Sequence, residues 1–509
     1  MSVYYRPVWT CGRYNASTHA AIYYNNITGF SYFFEDLSAD VVGIILSAGR
    51  NKDVSVDEVS QSVMLGKEIV SNFFNELEAE GLLVSSMVDD NGIMNYRTTI
   101  ANIRKNQEQE IDKTVSEKLP MATSNAEMSY TEKAGELAAV MFELTYRCSE
   151  KCIHCYNIGA TRNDEEQSHR ADLQEMSIED YKRVIDEMYE LGLYKVCFTG
   201  GDPFSNSHIW DLIDYVYQKD IAFDIYTNGQ NLTQYQRLAD YFPRAVGISI
   251  YSGIAKEHDY ITRIKGSWEK SMTVIKELSR LSVPLELKCC IMRPNLKSYY
   301  TVYDICKEYG AAPQMEINIS DSIEGDQCAR RLRLLPEELE VVLRDENLKL
   351  YVGKEAPNYG GQPRDLKANG CGAGDNTFCL TPDGYIIPCC SFHIHYGNVR
   401  EQSVKDILST SENKKYWNSL TLEKYEECGR YEYCNYCNLC AGNNYNEHGI
   451  PTKAAENNCY TAKIRHSLAI RMMNDGYDPL EGKTVAERIS EFPDFIPEKL
   501  HRIINTKIP

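Results

Sequence analysis

The stretch Glu143-Leu-Thr-Tyr-Arg-Cys148-Ser-Glu-Lys-Cys152-Ile-His-Cys155-Tyr156 sets three thiols within eight residues, immediately after an apolar segment at 138–145 that reads as a β-strand. Downstream, short apolar segments near 194–199, 222–226, 246–251, 285–292 and 314–317 alternate with helical patterns. That alternation predicts a parallel β/α domain, and six strands with their helices predict a partial barrel. The thiols then lie on a loop at the C-terminal mouth of the sheet, where barrels carry their chemistry. Three cysteines can hold three irons of a 4Fe–4S cubane and leave the fourth iron open to a ligand, whereas a purely electron-carrying cluster is normally closed by a fourth cysteine. The competing readings of the triplet are a zinc knuckle or a set of core cysteines.

Composition narrows the setting. The chain has 509 residues, long enough for several folding units, with 43% hydrophobic and 25% charged residues. No segment is apolar over the length a bilayer needs, and the start lacks a basic-then-apolar secretory pattern, so a cytoplasmic protein without membrane contact is expected. A net charge of −19 disfavours nucleic acid as a partner, since backbone phosphates are bound by Lys and Arg. Eighteen cysteines in a reducing compartment point to metal ligation rather than disulfides.

Cys148, Cys152 and Cys155 have the Cys-x3-Cys-x2-Cys spacing of the radical S-adenosylmethionine superfamily, which the chain resembles; His154 stands where that family usually has an aromatic residue. The resemblance implies that S-adenosylmethionine binds the open iron and yields a 5′-deoxyadenosyl radical, with electrons from a low-potential donor such as flavodoxin or ferredoxin. One β/α unit later, Thr199-Gly200-Gly201-Asp202-Pro203-Phe204 is similar to the family's Gly-Gly-Glu motif, with Asp for Glu. Its glycines let backbone approach the cofactor and its carboxylate is expected to take the cofactor's ammonium group. Thr227 and Asn228, then Ser249 and Arg263, are further cofactor-binding candidates at strand ends, the last two for the ribose and carboxylate by similarity to the family.

A second array holds Cys371, Cys379, Cys389, Cys390, Cys428, Cys434, Cys437, Cys440 and Cys459. Nine cysteines exceed by one the eight that two closed cubanes require. Cys371-x12-Gly384-x4-Cys389 resembles the opening of the SPASM extension, which carries two auxiliary clusters in peptide-modifying radical enzymes; the total implied is three [4Fe–4S] clusters. Cys440 follows Cys437 sooner than that family's usual spacing, while Cys428-x5-Cys434-x2-Cys437 is similar to sactipeptide synthases, which install sulfur-to-α-carbon thioethers. The expected groups are Cys371, Cys379, Cys389 and Cys440, and Cys428, Cys434, Cys437 and Cys459, with the choice between Cys389 and Cys390 open. Zinc sites of four cysteines each are the alternative.

Residues 1–105 read as a winged-helix-like unit of strands followed by three helices, near 38–47, 56–63 and 67–80. Such a unit resembles the recognition element of enzymes that mature ribosomally made peptides, where a leader adds a strand to a sheet edge. With 8 Lys and Arg against 12 Asp and Glu, it is ill suited to DNA. The polar stretch 106–135 reads as a linker, 136–345 as the barrel, 346–470 as the Cys-rich domain, whose low apolar density leaves cohesion to its clusters, and 471–509 as a tail. Together these imply a maturase that binds a precursor through its leader and forms thioether crosslinks in it. The alternatives are another crosslink, a formylglycine-forming sulfatase maturase, and an iron–sulfur redox sensor that binds DNA.

Overall fold

The computed structural model describes residues 3–106, 125–157, 174–323, 325, 327–353 and 364–495. Near the amino terminus, β1 (Val3–Tyr5) pairs antiparallel with β5 (Asp53–Ser55), and β2 (Thr10–Asn15), β3 (Ala20–Asn25) and β4 (Phe30–Glu35) form an antiparallel meander. Every residue of β3 is buried because both faces of the meander are covered. One face, with Ala21, Tyr23, Tyr32 and Phe34, packs on helices Asp36–Ala48, Val56–Ser62 and Lys67–Ala79. The Ser55 side chain caps the second of these by accepting from the Glu58 amide. The opposite face, with Cys11, Ala20, Ile22 and Tyr24, packs on Tyr130 and on Ala138, Tyr194 and Ala222, which lie at the N-terminal ends of barrel strands. Sequence periodicity shows only β3 and β4. It misses β2 because Gly12 interrupts the pattern where a Cβ would lie 2.4 Å from the Ile22 carbonyl oxygen.

The expected linker contains a helix, Ala126–Ala134; residues 107–124 lie outside the described part. Ala126, Tyr130 and Ala134 recur at four-residue spacing and are buried, and Tyr130 meets Tyr194 edge to face. A Glu- and Lys-bearing outer face hides this stripe from composition. An ion-pair cluster also joins the amino-terminal unit to the barrel. Fully buried Arg6 donates to both oxygens of Asp220 at 2.8 Å, and Arg50 reaches the same carboxylate at 2.8 Å while stacking over Tyr217.

Strands β6 (Ala139–Glu143), β7 (Lys195–Thr199), β8 (Ala222–Thr227), β9 (Ala245–Ser249), β10 (Leu285–Cys290) and β11 (Ala312–Glu316) lie side by side in chain order, all parallel. The intervening helices cover the outer face. Ile178–Glu190 starts at a Ser177–Asp180 capping box and buries Tyr181, Val184, Ile185 and Met188, the stripe its spacing predicts. On β10 the alternation is strict: Leu285, Leu287 and Cys289 are buried, whereas Glu286, Lys288 and Cys290 alternate with them.

Beyond β6 the sheet continues into the Cys-rich segment. β12 (Thr377–Leu380) pairs parallel with β6, from Thr377 opposite Ala139 to Leu380 opposite Phe142, and is followed by antiparallel β13 (Tyr385–Ile387) and β14 (Gly397–Asn398). Gly384, at φ +92°, makes the turn between β12 and β13, which explains the glycine in the Cys371–Cys389 spacing. Cohesion here does not depend on clusters alone. Phe378, Leu380, Ile386, Phe392, Trp417 and Tyr425 belong to the same continuous core as the barrel. Part of the expected tail is also ordered into the body: Ile489 of helix Val485–Ser490 is fully buried, and Arg471 and Tyr477 bond Glu340 on the barrel's last helix. No helix among the described residues is long and apolar enough to cross a membrane.

Candidate active site

The thiol loop leaves β6 at the mouth of the barrel and is tied across it: the Lys151 and Ile153 amides donate to the carbonyls of Thr262 and Ile261. Cys148, Cys152 and Cys155 line a cavity of about 440 Å³ together with Gly200, Gly201, Thr227, Asn228 and Ser249. Two N–H groups point at the first sulfur, from the Glu150 amide at 3.4 Å and Asn228 Nδ2 at 3.2 Å. Such donors lower the charge density on a cluster thiolate.

The electrostatics suit a metal-bearing centre. Burial pushes the Cys148 thiol up to about 12 and Cys152 well above its ordinary value, so these sulfurs stay neutral until a cation supplies the compensating charge. Burial also raises Glu150 to about 8 and lowers His154 to about 4. Glu150 Oε1 and His154 Nδ1 are buried without a protein partner on the wall of this cavity. A soft donor set, a desolvated pocket and unsatisfied polar atoms fit an iron–sulfur cluster with a polar ligand on its open iron. His154 fills the expected aromatic position as an aromatic does, edge-on to Tyr251 at 4.8 Å.

Gly200 and Gly201 are required by contact as well as by torsion. A Cβ on Gly200, at φ +131°, would lie 2.3 Å from the Thr145 carbonyl oxygen, and one on Gly201 would lie 2.4 Å from that of Arg147. Both obstacles are backbone of the thiol loop, which the Gly201 and Asp202 amides bond through the Thr145 and Arg147 carbonyls. Gly201→Ala is therefore expected to push the two loops apart and weaken S-adenosylmethionine binding by at least about tenfold, or ~1.4 kcal/mol. Isothermal titration of cluster-reconstituted protein measures this, and an unchanged affinity would show that the close approach is not used.

Three sequence candidates lie outside the cavity lining. Asp202 is fully buried, and its two oxygens accept from Thr227 Oγ1 and Asn231 Nδ2, so it braces the strand-end loops beside the cavity. Pro203 is buried at the start of the following short turn, because its fixed φ suits that position. Arg263 is exposed at φ +58°, as the cap of helix Ala255–Thr262, and is not among the cavity-lining residues. The structure brings in residues the motifs do not mark: Tyr156, Tyr251, Lys288, Cys290 and Glu316 line the same cavity. Their signal is a polar or reactive side chain at the C-terminal end of an otherwise apolar strand or just beyond it. Cys290 stands opposite Glu316 on neighbouring strands, and Lys288 lies 3.7 Å from the Tyr226 ring.

Cys428, Cys434, Cys437 and Cys459 line a single cavity, the four thiols of one expected group. In the other group, Cys389 has Cys390, Cys440 and Cys371 as charge neighbours. Cys379, fully buried on β12, has Glu143, Cys390, Cys389 and Cys197, and so faces the barrel. Cys390 lies close enough to Tyr156, which also lines the radical cavity, for the two to act electrostatically on each other.

The family profile of the radical SAM superfamily matches residues 142–297, and that of the SPASM iron-sulfur cluster-binding domain matches residues 371–441. The chain is 25% identical over 337 residues to the AdoMet-dependent heme synthase of Oleidesulfovibrio alaskensis, covering 61% of this chain and 84% of that one. It is 26% identical over 313 residues to the antilisterial bacteriocin subtilosin biosynthesis protein AlbA of Bacillus subtilis, covering 59% and 66%. Among solved structures, that of Streptococcus suis SuiB bound to precursor peptide SuiA superposes with a TM-score of 0.53 at 14% identity, covering 90% of this chain and 99% of that chain. The thiol triplet therefore lies inside a radical SAM domain, residues 142–297, and the first cysteines of the second array open a SPASM domain, residues 371–441.

Proposed function

We propose that the protein is a peptide maturase that joins a cysteine sulfur to a carbon of a ribosomally made precursor. The observation that carries this reading is the contiguity of the radical cavity with the auxiliary array, since Tyr156 lines the first and lies close enough to Cys390 of the second for each to act electrostatically on the other. S-adenosylmethionine would supply the oxidising radical when reduced by one electron. Cys148, Cys152 and Cys155 would hold the first cluster, and Gly200, Gly201, Thr227, Asn228 and Ser249 would shape the cofactor's bed. Closing a carbon–sulfur bond removes one hydrogen atom, one proton and one electron from the peptide. Glu316, whose Oε1 is fixed by the Ile317 and Asn318 amides and Asn318 Nδ2, is placed to take the proton. Cys371, Cys379, Cys389 and Cys440, and Cys428, Cys434, Cys437 and Cys459, would hold two auxiliary clusters, three in all with the first, and these would supply the electron acceptor.

Precursor capture falls to the amino-terminal unit. Among the described residues β4 pairs with β3 only, leaving a sheet edge open to an added strand. AlbA, a bacteriocin biosynthesis protein, and SuiB, solved bound to precursor peptide SuiA, agree with a peptide substrate. The reaction runs in the cytoplasm, drawing on a flavodoxin- or ferredoxin-type donor. Anaerobically reconstituted protein, given a cysteine-containing precursor encoded beside it, is expected to lower the peptide mass by two hydrogens per link; cofactor turnover with an unchanged peptide mass would count against the proposal.

A further inference from the structure

The cavity formed by Cys428, Cys434, Cys437 and Cys459 has a cation built into its wall. Arg364 lines it with the four thiols, and its guanidinium donates to the carbonyl of Cys434 at 3.2 Å and to that of Cys437. These bonds reach across 70 and 73 residues of chain, so the side chain is fixed by the same segment that presents the sulfurs. Its positive charge acts on the Cys428 and Cys437 sulfurs. Of the other charges nearby, Lys463, exposed over the Tyr433 ring at 5.1 Å, acts on Cys459, and exposed Glu427 acts on Cys428 and Cys459 with the opposite sign. Glu447, whose side chain is buried and already paired with Arg330 and Arg333, acts on Cys459 in the same sense as Glu427.

Four sulfurs close a cubane and leave no iron for a substrate, so only electrons pass here. We propose that Arg364 sets the electron affinity of this closed site, making it the stronger acceptor of the two auxiliary centres and the place where the electron released by the peptide comes to rest. Uptake of one electron adds one negative charge to the group, and a guanidinium bonded to two ligand residues stabilises that reduced state preferentially. The inference rests on the proposed ligand set, and the test separates the two.

Protein carrying Cys148→Ala, Cys152→Ala and Cys155→Ala, reconstituted with iron and sulfide, confines the signal to the auxiliary centres. Adding Cys434→Ala and Cys437→Ala should remove roughly four irons per chain; full iron retention would mean that the ligand set itself is wrong. With that set established, Arg364→Gln should lower the midpoint of the higher-potential centre, followed by electron paramagnetic resonance during potentiometric titration, by about tenfold in the reduction equilibrium, or ~59 mV. Arg364→Lys, which keeps the charge, should retain most of the potential, and Glu427→Gln should raise it. If Arg364→Gln fails to hold iron, the lysine variant and Glu427→Gln decide. Midpoints unmoved in Arg364→Gln, or unmoved in Glu427→Gln where the glutamine variant does not load, overturn the proposal.

Discussion

Cys152→Ala is expected to reduce 5′-deoxyadenosine release to background and to lower bound iron by roughly four atoms per chain. Cys152 Sγ lies between the Glu150 carboxylate at 3.4 Å and the Tyr251 hydroxyl at 4.0 Å, deep in the cavity, so water cannot replace the sulfur as a soft ligand there. Two sulfurs do not retain a cubane whose fourth iron already lacks one. Cys306→Ala, which removes a buried thiol on helix Thr301–Tyr309 from neither array, serves as the control and should keep full iron. Chromatographic assay under a strong reductant reads both variants. Undiminished nucleoside from Cys152→Ala would remove the thiol triplet from the reaction.

Asp220→Ala is expected to destabilise the union of the amino-terminal unit and the barrel by about 3–5 kcal/mol, because it leaves the fully buried Arg6 guanidinium without its counter-ion. Arg50 loses the same partner, but its side chain is 13% exposed against 0% for Arg6, so most of the penalty arises at Arg6. Replacing the pair together, Arg6→Met with Asp220→Leu, should recover most of the loss, since the buried charge then goes with its partner. Thermal unfolding of the three proteins tests this. A change below about 0.5 kcal/mol in Asp220→Ala would place the cluster among surface pairs of little consequence. On the proposed function, modification of a precursor peptide should fall in Asp220→Ala, while nucleoside release in the absence of peptide should not.

The thiol loop and the strand succession are legible in the chain because each is a local pattern: close cysteine spacing in one case, apolar strands separated by amphipathic helices in the other. What escapes is assembled from afar. Glu316 and Cys290 meet through the register of two strands, and Tyr156 meets Cys390 across more than two hundred residues, so no window of sequence contains either pair. Arg263 shows a backbone state that spacing does not reveal: it caps helix Ala255–Thr262 in the left-handed region. Asp202 is buried, and the bonds its carboxylate accepts from Thr227 and Asn231 come from a strand-end loop outside its own motif. The helix at Ala126–Ala134 is hidden because three apolar residues suffice to anchor it against a tyrosine cluster.

The parallel pairing of β12 with β6 ties the SPASM segment to the radical SAM sheet through backbone bonds. Tunnelling depends steeply on separation, and a shared ladder keeps the spacing between redox centres constant without a hinge to tune it. The same ladder makes the two parts melt together. A chain cut before residue 377 would bare the β6 margin as an adhesive edge, so the barrel is not a module that can be lifted out and handled alone.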